Sequence, residues 1–244
     1  MKALVFAAGL GTRLRPITDS IPKALVPVGG VPMLERVICK LRDAGIDSFV
    51  VNTFHFADKV ESFLEKNGKF GTNIAISDER DSAEPLETGG GIKRAAAQLG
   101  QGRFLVHNVD ILSDLDIRWL MANDHPESLA TLVLTETDAD RYLLFDDDMH
   151  LVGWTNTRTG EVKSPFPDFN PSDYRRYSFC GIHILSDEVF PMMQDWPDRF
   201  SIIDFYLKAA ATKPICGIVA TDLNLIDIGS PEKLAEADAL FLKK

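Results

Sequence analysis

Cysteine is scarce in this chain, which has only three among its 244 residues. Cys39, Cys180 and Cys216 lie far apart and match neither the spacing of a zinc site nor that of a redox pair. Their small number excludes a disulfide-rich secreted scaffold. Because apolar residues surround each of them, we predict that all three are reduced residues of the core.

Long hydrophobic runs are absent as well. The first apolar run, near residues 3–8, is too short to cross a bilayer. Arg13 and Arg15 follow it, and no signal-peptide cleavage pattern is visible. We therefore expect a cytoplasmic protein that does not have a membrane as its partner.

Positive charge is in deficit, since 26 basic residues stand against 36 acidic ones and the formal net charge is -10. A chain without a broad basic surface does not neutralise the phosphate backbone of nucleic acids, so we expect no nucleic-acid partner. Such a chain still binds a small anion when arginine, lysine or a metal ion concentrates positive charge at one place.

A glycine-rich loop with basic residues beside it follows the first apolar run. Gly9 and Gly11 permit positive φ and let backbone amides approach an anion, and Arg13 and Lys23 add full positive charge. A dinucleotide-binding Rossmann loop requires a third glycine where Arg13-Leu14-Arg15-Pro16 stands, and no Gly-Lys-Ser/Thr follows for a Walker loop. A tight turn between two elements is the structural alternative.

Strand and helix patterns alternate over the first half of the chain. Apolar patterns predict strands near residues 3–8, 48–53, 73–77 and 104–109, and helices near 33–45 and 57–67. Residues 87–99 are predicted to pass through a glycine-rich turn at 88–91 into a further helix. This alternation predicts an α/β fold with a Rossmann-like, mostly parallel sheet and helices on both faces. Short strands near 129–136, 150–156 and 177–185 then surround a polar stretch, which indicates a smaller mixed-strand region. A helix near 201–211 and strands near 214–221 and 224–228 follow.

The strings GLGTRLRPIT and IPKALVPVGGVPML around the loop closely resemble the amino-terminal signature of the sugar-1-phosphate nucleotidyltransferases, which make nucleotide sugars. In that family the Gly-x-Gly-Thr-Arg loop holds the phosphates and base of the nucleotide, and the lysine of the Pro-Lys pair contacts phosphate. The resemblance therefore implies nucleotide binding by Ala8, Gly9, Gly11, Thr12, Arg13 and Lys23. It also implies that Arg13 and Lys23 act on the reacting phosphates.

The resemblance covers almost the whole chain and suggests how it is divided. We expect a single nucleotidyltransferase domain over residues 1–244, with a nucleotide-binding part at about 1–128 and a sugar-binding part at about 129–228. A C-terminal helix is predicted over 230–243, because Ser230-Pro231 fits the N-cap and first position of a helix.

Two aspartates each follow an apolar strand, Asp110 in FLVHNVDI and Asp227 in LNLIDIGS. In a parallel sheet both would emerge at the carboxyl edge, beside the glycine-rich loop. Carboxylates next to a polyphosphate need a cation, and Mg²⁺ suits one or two carboxylates plus phosphate oxygens. A cap or turn role is the alternative, but Ser113 and Ser230 are available to cap the following helices. The family carries metal-binding aspartates at matching places, although Val109 stands here where glycine is commoner.

The segment PLETGGGI, residues 85–92, contains three consecutive glycines. Such a run eases a turn from strand to helix, which is the structural alternative. In the related enzymes this segment lies by the base and the sugar, so the resemblance implies nucleotide contacts at Pro85 and Gly90 and a sugar-phosphate contact at Glu87. Leu-Glu-Thr-Gly-Gly-Gly most resembles the uridylyltransferases that act on N-acetylmuramate 1-phosphate, whereas guanylyltransferases more often have Leu-Gly-Thr. Glu87 therefore favours a uracil nucleotide.

Four more residues are candidates for binding the sugar phosphate. Asn108 precedes the candidate metal ligand, and Gly181 in SFCGI matches the family's strand whose glycine passes close to the sugar. An ordinary glycine in a strand is the alternative. Asp204 and Lys208 are four positions apart on a predicted helix, where they either pair with each other on a solvated face or face the sugar phosphate.

These features predict a Mg²⁺-dependent enzyme in which a sugar phosphate oxygen attacks the α-phosphorus of a nucleoside triphosphate and pyrophosphate leaves. UTP with a muramate-type sugar 1-phosphate is the first expectation, and GTP with a mannose- or heptose-type sugar is the second. A nucleotide-sugar-binding regulator without turnover is an alternative of another class. A glycosyltransferase would normally show an Asp-x-Asp motif, which Asn108-Val109-Asp110 is not. The oligomeric state is left open.

Overall fold

Fourteen strands run along the part of the chain that the computed structural model describes, residues 1–241. In chain order they are β1 (Lys2–Phe6), β2 (Pro27–Val28), β3 (Val31–Pro32), β4 (Ser48–Thr53), β5 (Asn73–Asp78), β6 (Phe104–Asn108), β7 (Ile111–Ser113), β8 (Ala130–Thr135), β9 (Arg141–Phe145), β10 (Leu151–Asn156), β11 (Glu161–Lys163), β12 (Arg175–Leu185), β13 (Ile215–Val219) and β14 (Leu225–Asp227).

Eight α-helices lie between these strands in the same described residues. They are α1 (Met33–Asp43), α2 (Ala57–Lys66), α3 (Glu87–Arg94), α4 (Ala96–Leu99), α5 (Ile117–Ala122), α6 (Val189–Met192), α7 (Ile202–Ala209) and α8 (Pro231–Phe241). Short 3-10 turns at Thr12–Leu14, Ile17–Asp19 and Lys23–Leu25 shape the segment between β1 and β2.

The large sheet has ten strands in the order β11-β10-β9-β12-β6-β1-β4-β5, and β8 and β13 continue it from β12. Its core of β6, β1, β4 and β5 is parallel, because each strand in this part returns through a helical crossover. β12 lies antiparallel to β6, β8 and β9, so the second half of the chain adds mixed strands to the same sheet. The predicted α/β fold class with a parallel core is confirmed.

Helices cover both faces of the sheet, as the apolar strand patterns predict. Side chains of a strand alternate between the two faces, and β1 divides accordingly: Ala3 and Val5 pack in the core formed with α1, α2, α5 and α8. Leu4 packs in the second core, formed with α3, α4, α6 and α7. The carboxyl ends of the parallel strands are left at one edge, between the two helical layers.

Most predicted elements are found within a few residues of their expected limits. Gly45 follows α1 with a φ of 103°, as expected of a helix C-cap. The glycine-rich turn predicted at 88–91 is wrong, because α3 begins at Glu87 and includes the three glycines. The predicted helix that follows is interrupted at Ala95, where α4 begins. Ser230 precedes α8, and its Oγ accepts a hydrogen bond from the Lys233 N–H at 3.4 Å. The end of this predicted helix, residues 242–243, lies outside the described residues.

The assignment of Ser113 as a helix cap is wrong. Ser113 ends β7, where it pairs with Leu225 of β14. Asp116 caps α5 instead, and its Oδ1 accepts from the N–H groups of Arg118 at 2.8 Å and Trp119 at 3.3 Å. The strand was missed because a three-residue segment is too short for a period of two to be visible.

The three cysteines are all free, and Cys180 and Cys216 are buried as predicted, whereas Cys39 is half-buried.

Two strands in the polar stretch, β9 and β11, were not predicted. β11 is exposed at all three positions and has no apolar pattern.

Within residues 1–241, no helix combines the length and apolar character needed to span a bilayer.

Two buried histidines make the stability of this fold sensitive to acid. Burial lowers the pKa of His183 to about 3, and its Nδ1 lies 2.9 Å from the Tyr206 hydroxyl. Burial also lowers the pKa of His107 to about 4. Since the unfolded chain binds these protons near pH 6.5 and the folded chain does not, stability is retained above pH 6.5 and lost as the pH falls below it.

We expect each of these histidines to cost roughly 2 kcal/mol of unfolding free energy between pH 7 and pH 5. Urea unfolding at both pH values, compared between the unaltered chain and His183→Gln, measures this term. The decrease in unfolding free energy from pH 7 to pH 5 should be about 2 kcal/mol smaller in the variant than in the unaltered chain. An equal loss in both proteins would contradict the assignment.

Candidate active site

A cavity of about 200 Å³ opens at the carboxyl edge of the parallel strands, beside the glycine-rich loop. Its walls come from the ends of β1, β4 and β6, the glycine-rich loop and the segment before α3. The lining residues are Phe6, Ala8, Gly9, Lys23, Asn52, Glu79, Pro85, Glu87, Thr88, Asn108, Val109 and Asp110. Seven predicted site residues, from four separate segments of the chain, therefore meet around one cavity.

The glycine-rich loop turns sharply at Gly11, which has a φ of 64°. A Cβ at this position would lie 2.8 Å from Thr18 Cγ2, so both the conformation and the close packing require glycine. Thr18 Oγ1 donates to the Gly11 carbonyl at 2.8 Å and holds the turn. Within residues 1–241, the N–H groups of Gly9, Leu10 and Gly11 donate to no protein atom. They are available to an anion.

Lys23 and Asp110 form an ion pair at the mouth of the cavity. The lysine side chain is 11% exposed and the aspartate side chain 24%, so the pair is largely removed from water. Lys23 reaches this place because the 3-10 turn at Lys23–Leu25 lies under the glycine-rich loop, where its side chain also packs near Gly9 and Gly11. One ammonium group thus borders both the candidate phosphate cradle and a candidate metal ligand.

A two-stranded ribbon brings Asp110 and Asp227 together. β7, which begins directly after Asp110, is antiparallel to β14, which ends at Asp227. The Ile228 N–H donates to the Asp110 carbonyl at 2.9 Å and closes the ribbon. The expected convergence is found, but Asp227 arrives on this separate ribbon and not on a strand of the main sheet.

The charge of Asp110 acts on Asp227, which is exposed at the end of β14 and does not line the cavity itself. Partial burial raises the pKa of Asp227 and the charge of Asp110 raises it further, whereas Lys23 and Arg13 lower it. Two carboxylates that repel each other beside an open cavity have the donor chemistry of a divalent-cation site. Among residues 1–241 there is no group of three or more His, Cys, Asp or Glu side chains arranged for a metal. Such a site would need substrate oxygens to complete its coordination.

Arg13 lies against Gly229, two residues after Asp227. A Cβ at Gly229 would be 2.9 Å from Arg13 Nη2, so the guanidinium lies directly against this glycine. Arg13 makes no ion pair with any residue of the described chain. Thr12, which begins the same 3-10 turn, is exposed beside it. The loop therefore presents an uncommitted cation to the solvent near the two carboxylates.

Sequence reasoning missed a buried hydrogen-bond network behind the cavity. Asn52 Oδ1 accepts from the N–H groups of Ala7 at 2.6 Å and Ala8 at 3.3 Å. Its Nδ2 donates to Glu79 Oε1 at 2.8 Å, and Glu79 Oε2 accepts from the Leu86 N–H at 3.0 Å. Burial raises the pKa of Glu79 above its usual value. The network ties the end of β1 to the segment before α3, so it sets the width of the cavity.

The three glycines of α3 serve close packing. A Cβ at Gly90 would overlap the carbonyl oxygen of Asp198, and one at Gly89 would overlap the ring of Phe200. The N–H groups of both glycines donate to the Phe200 carbonyl, at 3.0 Å from Gly89 and 3.3 Å from Gly90. At Gly91 a Cβ would lie 2.7 Å from Phe6 Cε1. The amide predicted to bind nucleotide at Gly90 is thus already bonded within the protein.

Glu87 borders the cavity at the start of α3 with a φ of 63°. Its Oε1 accepts from Arg199 Nη2 at 2.8 Å. Pro85 lines the same wall, and its carbonyl accepts from Arg199 Nε at 3.2 Å. This wall of the cavity is therefore held from the opposite side by the segment that leads to α7.

Asn108 and Gly181, both predicted to bind the sugar phosphate, are in contact with each other. Gly181 has a φ of 75°, and a Cβ there would be 2.5 Å from Asn108 Nδ2. Asp204 and Lys208 line no part of the cavity: Asp204 pairs with Lys163 at 3.2 Å, and Lys208 Nζ lies 5.3 Å from the centre of the Trp196 ring. Their side chains do not pair with each other. We leave both out of the proposed site.

This chain is similar to known proteins over much or nearly all of its length. The family described as nucleotidyl transferase matches residues 2–142. An N-acetylmuramate alpha-1-phosphate uridylyltransferase of Caulobacter vibrioides is 34% identical over 97% of this chain and 95% of its own length. A D-glycero-alpha-D-manno-heptose 1-phosphate guanylyltransferase of Aneurinibacillus thermoaerophilus is 28% identical over 97% of this chain and 96% of its own.

Among solved structures, UDP-glucose pyrophosphorylase complexed with UDP-glucose aligns with a TM-score of 0.80 over 99% of this chain and 98% of its own. At 18% identity this alignment establishes a shared fold. The family match covers more than half of the chain and includes the glycine-rich loop, Lys23 and Asp110. The chain belongs to the nucleotidyl transferase family and is a sugar-1-phosphate nucleotidyltransferase.

Proposed function

We propose that this enzyme transfers a uridylyl group from UTP to N-acetylmuramate 1-phosphate. The observation that carries the proposal is the similarity to the Caulobacter uridylyltransferase over nearly the full length of both chains. The Leu-Glu-Thr-Gly-Gly-Gly segment supports it, since Pro85 and Glu87 of this segment border the cavity. In the reaction, a phosphate oxygen of the sugar bonds to the α-phosphorus of UTP, the bond to the β-phosphate breaks, and pyrophosphate leaves.

The groups in and beside the cavity suit this transfer because they concentrate hydrogen-bond donors and positive charge where a polyanion would bind. The amides of Gly9, Leu10 and Gly11 would donate to phosphate oxygens, and Arg13 would neutralise the charge that develops on the departing pyrophosphate. Lys23 is placed between this loop and Asp110 and would bridge the reacting phosphates. No covalent intermediate is needed, because the two substrates only have to be aligned.

We propose that Asp110 and Asp227 hold Mg²⁺. Their mutual repulsion and their place beside the cavity fit a hard cation that is shared with phosphate oxygens. Such an ion supplies charge stabilisation and a template for the two phosphates. In the present arrangement the Lys23 ammonium group supplies the positive charge at Asp110.

A guanylyltransferase that uses a mannose- or heptose-type sugar 1-phosphate is the second candidate. The heptose 1-phosphate guanylyltransferase of Aneurinibacillus matches this chain over nearly all of its length, at lower identity. Either reaction uses a nucleoside triphosphate of the cell interior, and the three free cysteines fit a reducing compartment, so we place the enzyme in the cytoplasm.

A coupled pyrophosphate assay distinguishes these candidates. Purified enzyme with Mg²⁺ is supplied with each of the four ribonucleoside triphosphates and with N-acetylmuramate, N-acetylglucosamine, mannose and heptose 1-phosphates. We expect the largest kcat/KM for UTP with N-acetylmuramate 1-phosphate. A preference for GTP with mannose or heptose 1-phosphate would favour the second candidate. Nucleotide-sugar binding without pyrophosphate release from any pair would indicate a regulator.

A further inference from the structure

Asn52 and Glu79 form a buried pair at the back of the nucleotide cavity. Asn52 lies near the end of β4 and is 1% exposed, and Glu79 directly follows β5 and is 0% exposed. Both border the cavity, yet the roles proposed above for the loop, Lys23 and the two aspartates use neither side chain. The pair is therefore placed to act on the walls of the cavity.

Main-chain groups fix the direction of every hydrogen bond that this pair makes. A backbone N–H can only donate, so Asn52 Oδ1 must face those of Ala7, at 2.6 Å, and Ala8, at 3.3 Å. Its Nδ2 is then left to donate to Glu79 Oε1 at 2.8 Å. Glu79 Oε2 accepts from the Leu86 N–H at 3.0 Å. Glu79 is thus an acceptor toward both of its partners.

The packing around the pair leaves little room for it to move. A Cβ at Gly91 of α3 would lie 3.1 Å from Glu79 Oε1, 3.2 Å from Asn52 Nδ2 and 2.7 Å from Phe6 Cε1. The backbone of α3 thus passes directly against the polar atoms of both side chains. A change in the distance between Asn52 and Glu79 must therefore displace α3 or the end of β1.

The pair joins two walls of the cavity that are far apart in the chain. Ala7 and Ala8 lead into the glycine-rich loop, where the phosphates are proposed to bind. Leu86 stands between Pro85 and Glu87, which line the opposite wall. Four hydrogen bonds in series thus connect the start of the phosphate loop to the segment that was predicted to lie by the base and the sugar.

We propose that Asn52 and Glu79 are positioning residues of the transfer, which hold the glycine-rich loop and the segment 85–88 at the separation that one bound nucleotide requires. This inference rests on the proposed function, since it takes a nucleoside triphosphate to span the two walls. Neither side chain acts on the reacting phosphates. Their effect is on alignment, where an error of about 1 Å costs on the order of 10²-fold in rate.

The test reverses the direction of one hydrogen bond. Asn52→Asp places a carboxylate against the Glu79 carboxylate, and Glu79→Gln leaves one acceptor for the two N–H donors of Asn52 and Leu86. In the double variant the new amide donates to the new carboxylate, and the Leu86 N–H keeps an acceptor. All four hydrogen bonds, the side-chain shapes and the net charge are then retained.

Each single variant should lower kcat/KM for the nucleotide at least tenfold at pH 8, because one buried hydrogen bond is lost. We expect most of the loss as a higher KM for the nucleotide, with the KM for the sugar 1-phosphate unchanged within twofold. The double variant should return to within threefold of the unaltered enzyme. Steady-state pyrophosphate release measures all of these values.

A pH profile provides a second readout, which a purely structural role would not move. Two carboxyl groups about 3 Å apart share one proton, and this proton replaces the lost N–H donor in Asn52→Asp. Relative to the unaltered enzyme, kcat/KM of this variant should rise at least threefold from pH 8 to pH 6. Arg94, which pairs with Asp81, and Asp78 are the charged groups that act on Glu79. Arginine and aspartate side chains keep their charge over this range.

Asn156→Asp is the matched control. Asn156 is 5% exposed, and its Oδ1 also accepts from two backbone N–H groups, those of Arg158 at 3.0 Å and Thr159 at 3.2 Å. Its Nδ2 donates to no atom of residues 1–241, so the change removes no hydrogen bond. The KM for the nucleotide should stay within twofold of the original.

Thermal unfolding verifies that the variants are folded, and Glu79→Gln with the double variant decides the case if Asn52→Asp is not. A double variant no more active than the better single variant would overturn the proposal. So would single variants with a lowered Tm but unchanged kcat and KM values. Failure of the proposed function is distinguishable: if the unaltered protein prefers another nucleotide, that nucleotide is used. If it releases no pyrophosphate, the Kd for UTP from titration calorimetry replaces KM, with the same pattern expected.

Discussion

Replacing Asp110 by Asn should lower kcat/KM by about 10²- to 10³-fold while the fold is retained. The substitution keeps the shape of the side chain but removes one of the two carboxylates proposed to hold the cation. It also leaves Lys23 without the carboxylate with which it is paired in the present arrangement. Steady-state pyrophosphate release over a range of Mg²⁺ concentrations measures the loss, which should include a higher Mg²⁺ requirement.

Asp148→Asn is the matched control for this experiment. Asp148 is exposed in the turn before β10 and is far in sequence from every residue of the site, so activity should stay within twofold of the original. Circular dichroism and thermal unfolding verify that Asp110→Asn is folded. Full activity of Asp110→Asn, with an unchanged Mg²⁺ requirement, would remove Asp110 from the proposed metal site.

Replacing Gly90 by Ala should destabilise the protein by roughly 3 kcal/mol, which corresponds to about 6–12 °C in Tm for a chain of this size. A methyl group at Gly90 would overlap the backbone carbonyl of Asp198, and backbone has no rotamer with which to move aside. Relief requires α3 to shift away from the segment leading to α7. We also expect a raised KM for the nucleotide, because Pro85 and Glu87 move with α3.

Gly9→Ala is the control for this steric argument. A Cβ at Gly9 meets only Lys23 Cδ, at 3.9 Å, which is an ordinary contact. Its unfolding free energy should therefore change by less than about 1 kcal/mol, whatever happens to activity. Differential scanning calorimetry of both variants decides the question. Equal Tm values would show that the close packing around α3 is not rigid.

The conformation of the glycine-rich loop is predictable because it depends on residues that are neighbours in the chain. Gly9 and Gly11 follow a buried strand directly, and the turn that they allow is a local property. The predicted convergence of Asp110 with this loop follows from a general rule, since the ends of parallel strands share one edge. Asn52 and Glu79 stand at the ends of the parallel strands β4 and β5, so the same rule places them at this edge of the sheet.

The glycines of PLETGGGI show the limit of local reasoning. Their pattern predicted contact with ligand, and the segment does border the cavity. At Gly89 and Gly90, however, the absent side chains make room for the backbone and ring of residues more than a hundred positions later. A sequence reveals that a side chain is missing, but it does not reveal which part of the chain occupies the space.

Short-range patterns thus determined the parallel core and the glycine-rich loop of this protein, and the resemblance of its amino-terminal motifs to a known family indicated the class of reaction. The folded chain alone decided how Asp227 reaches Asp110, because the partner of β14 is β7, a three-residue strand with no pattern of its own. It also decided that Asp204 and Lys208 lie away from the cavity, since the direction of a helix face depends on what it packs against. Local periodicity specifies elements, whereas long-range packing specifies which of their polar residues meet.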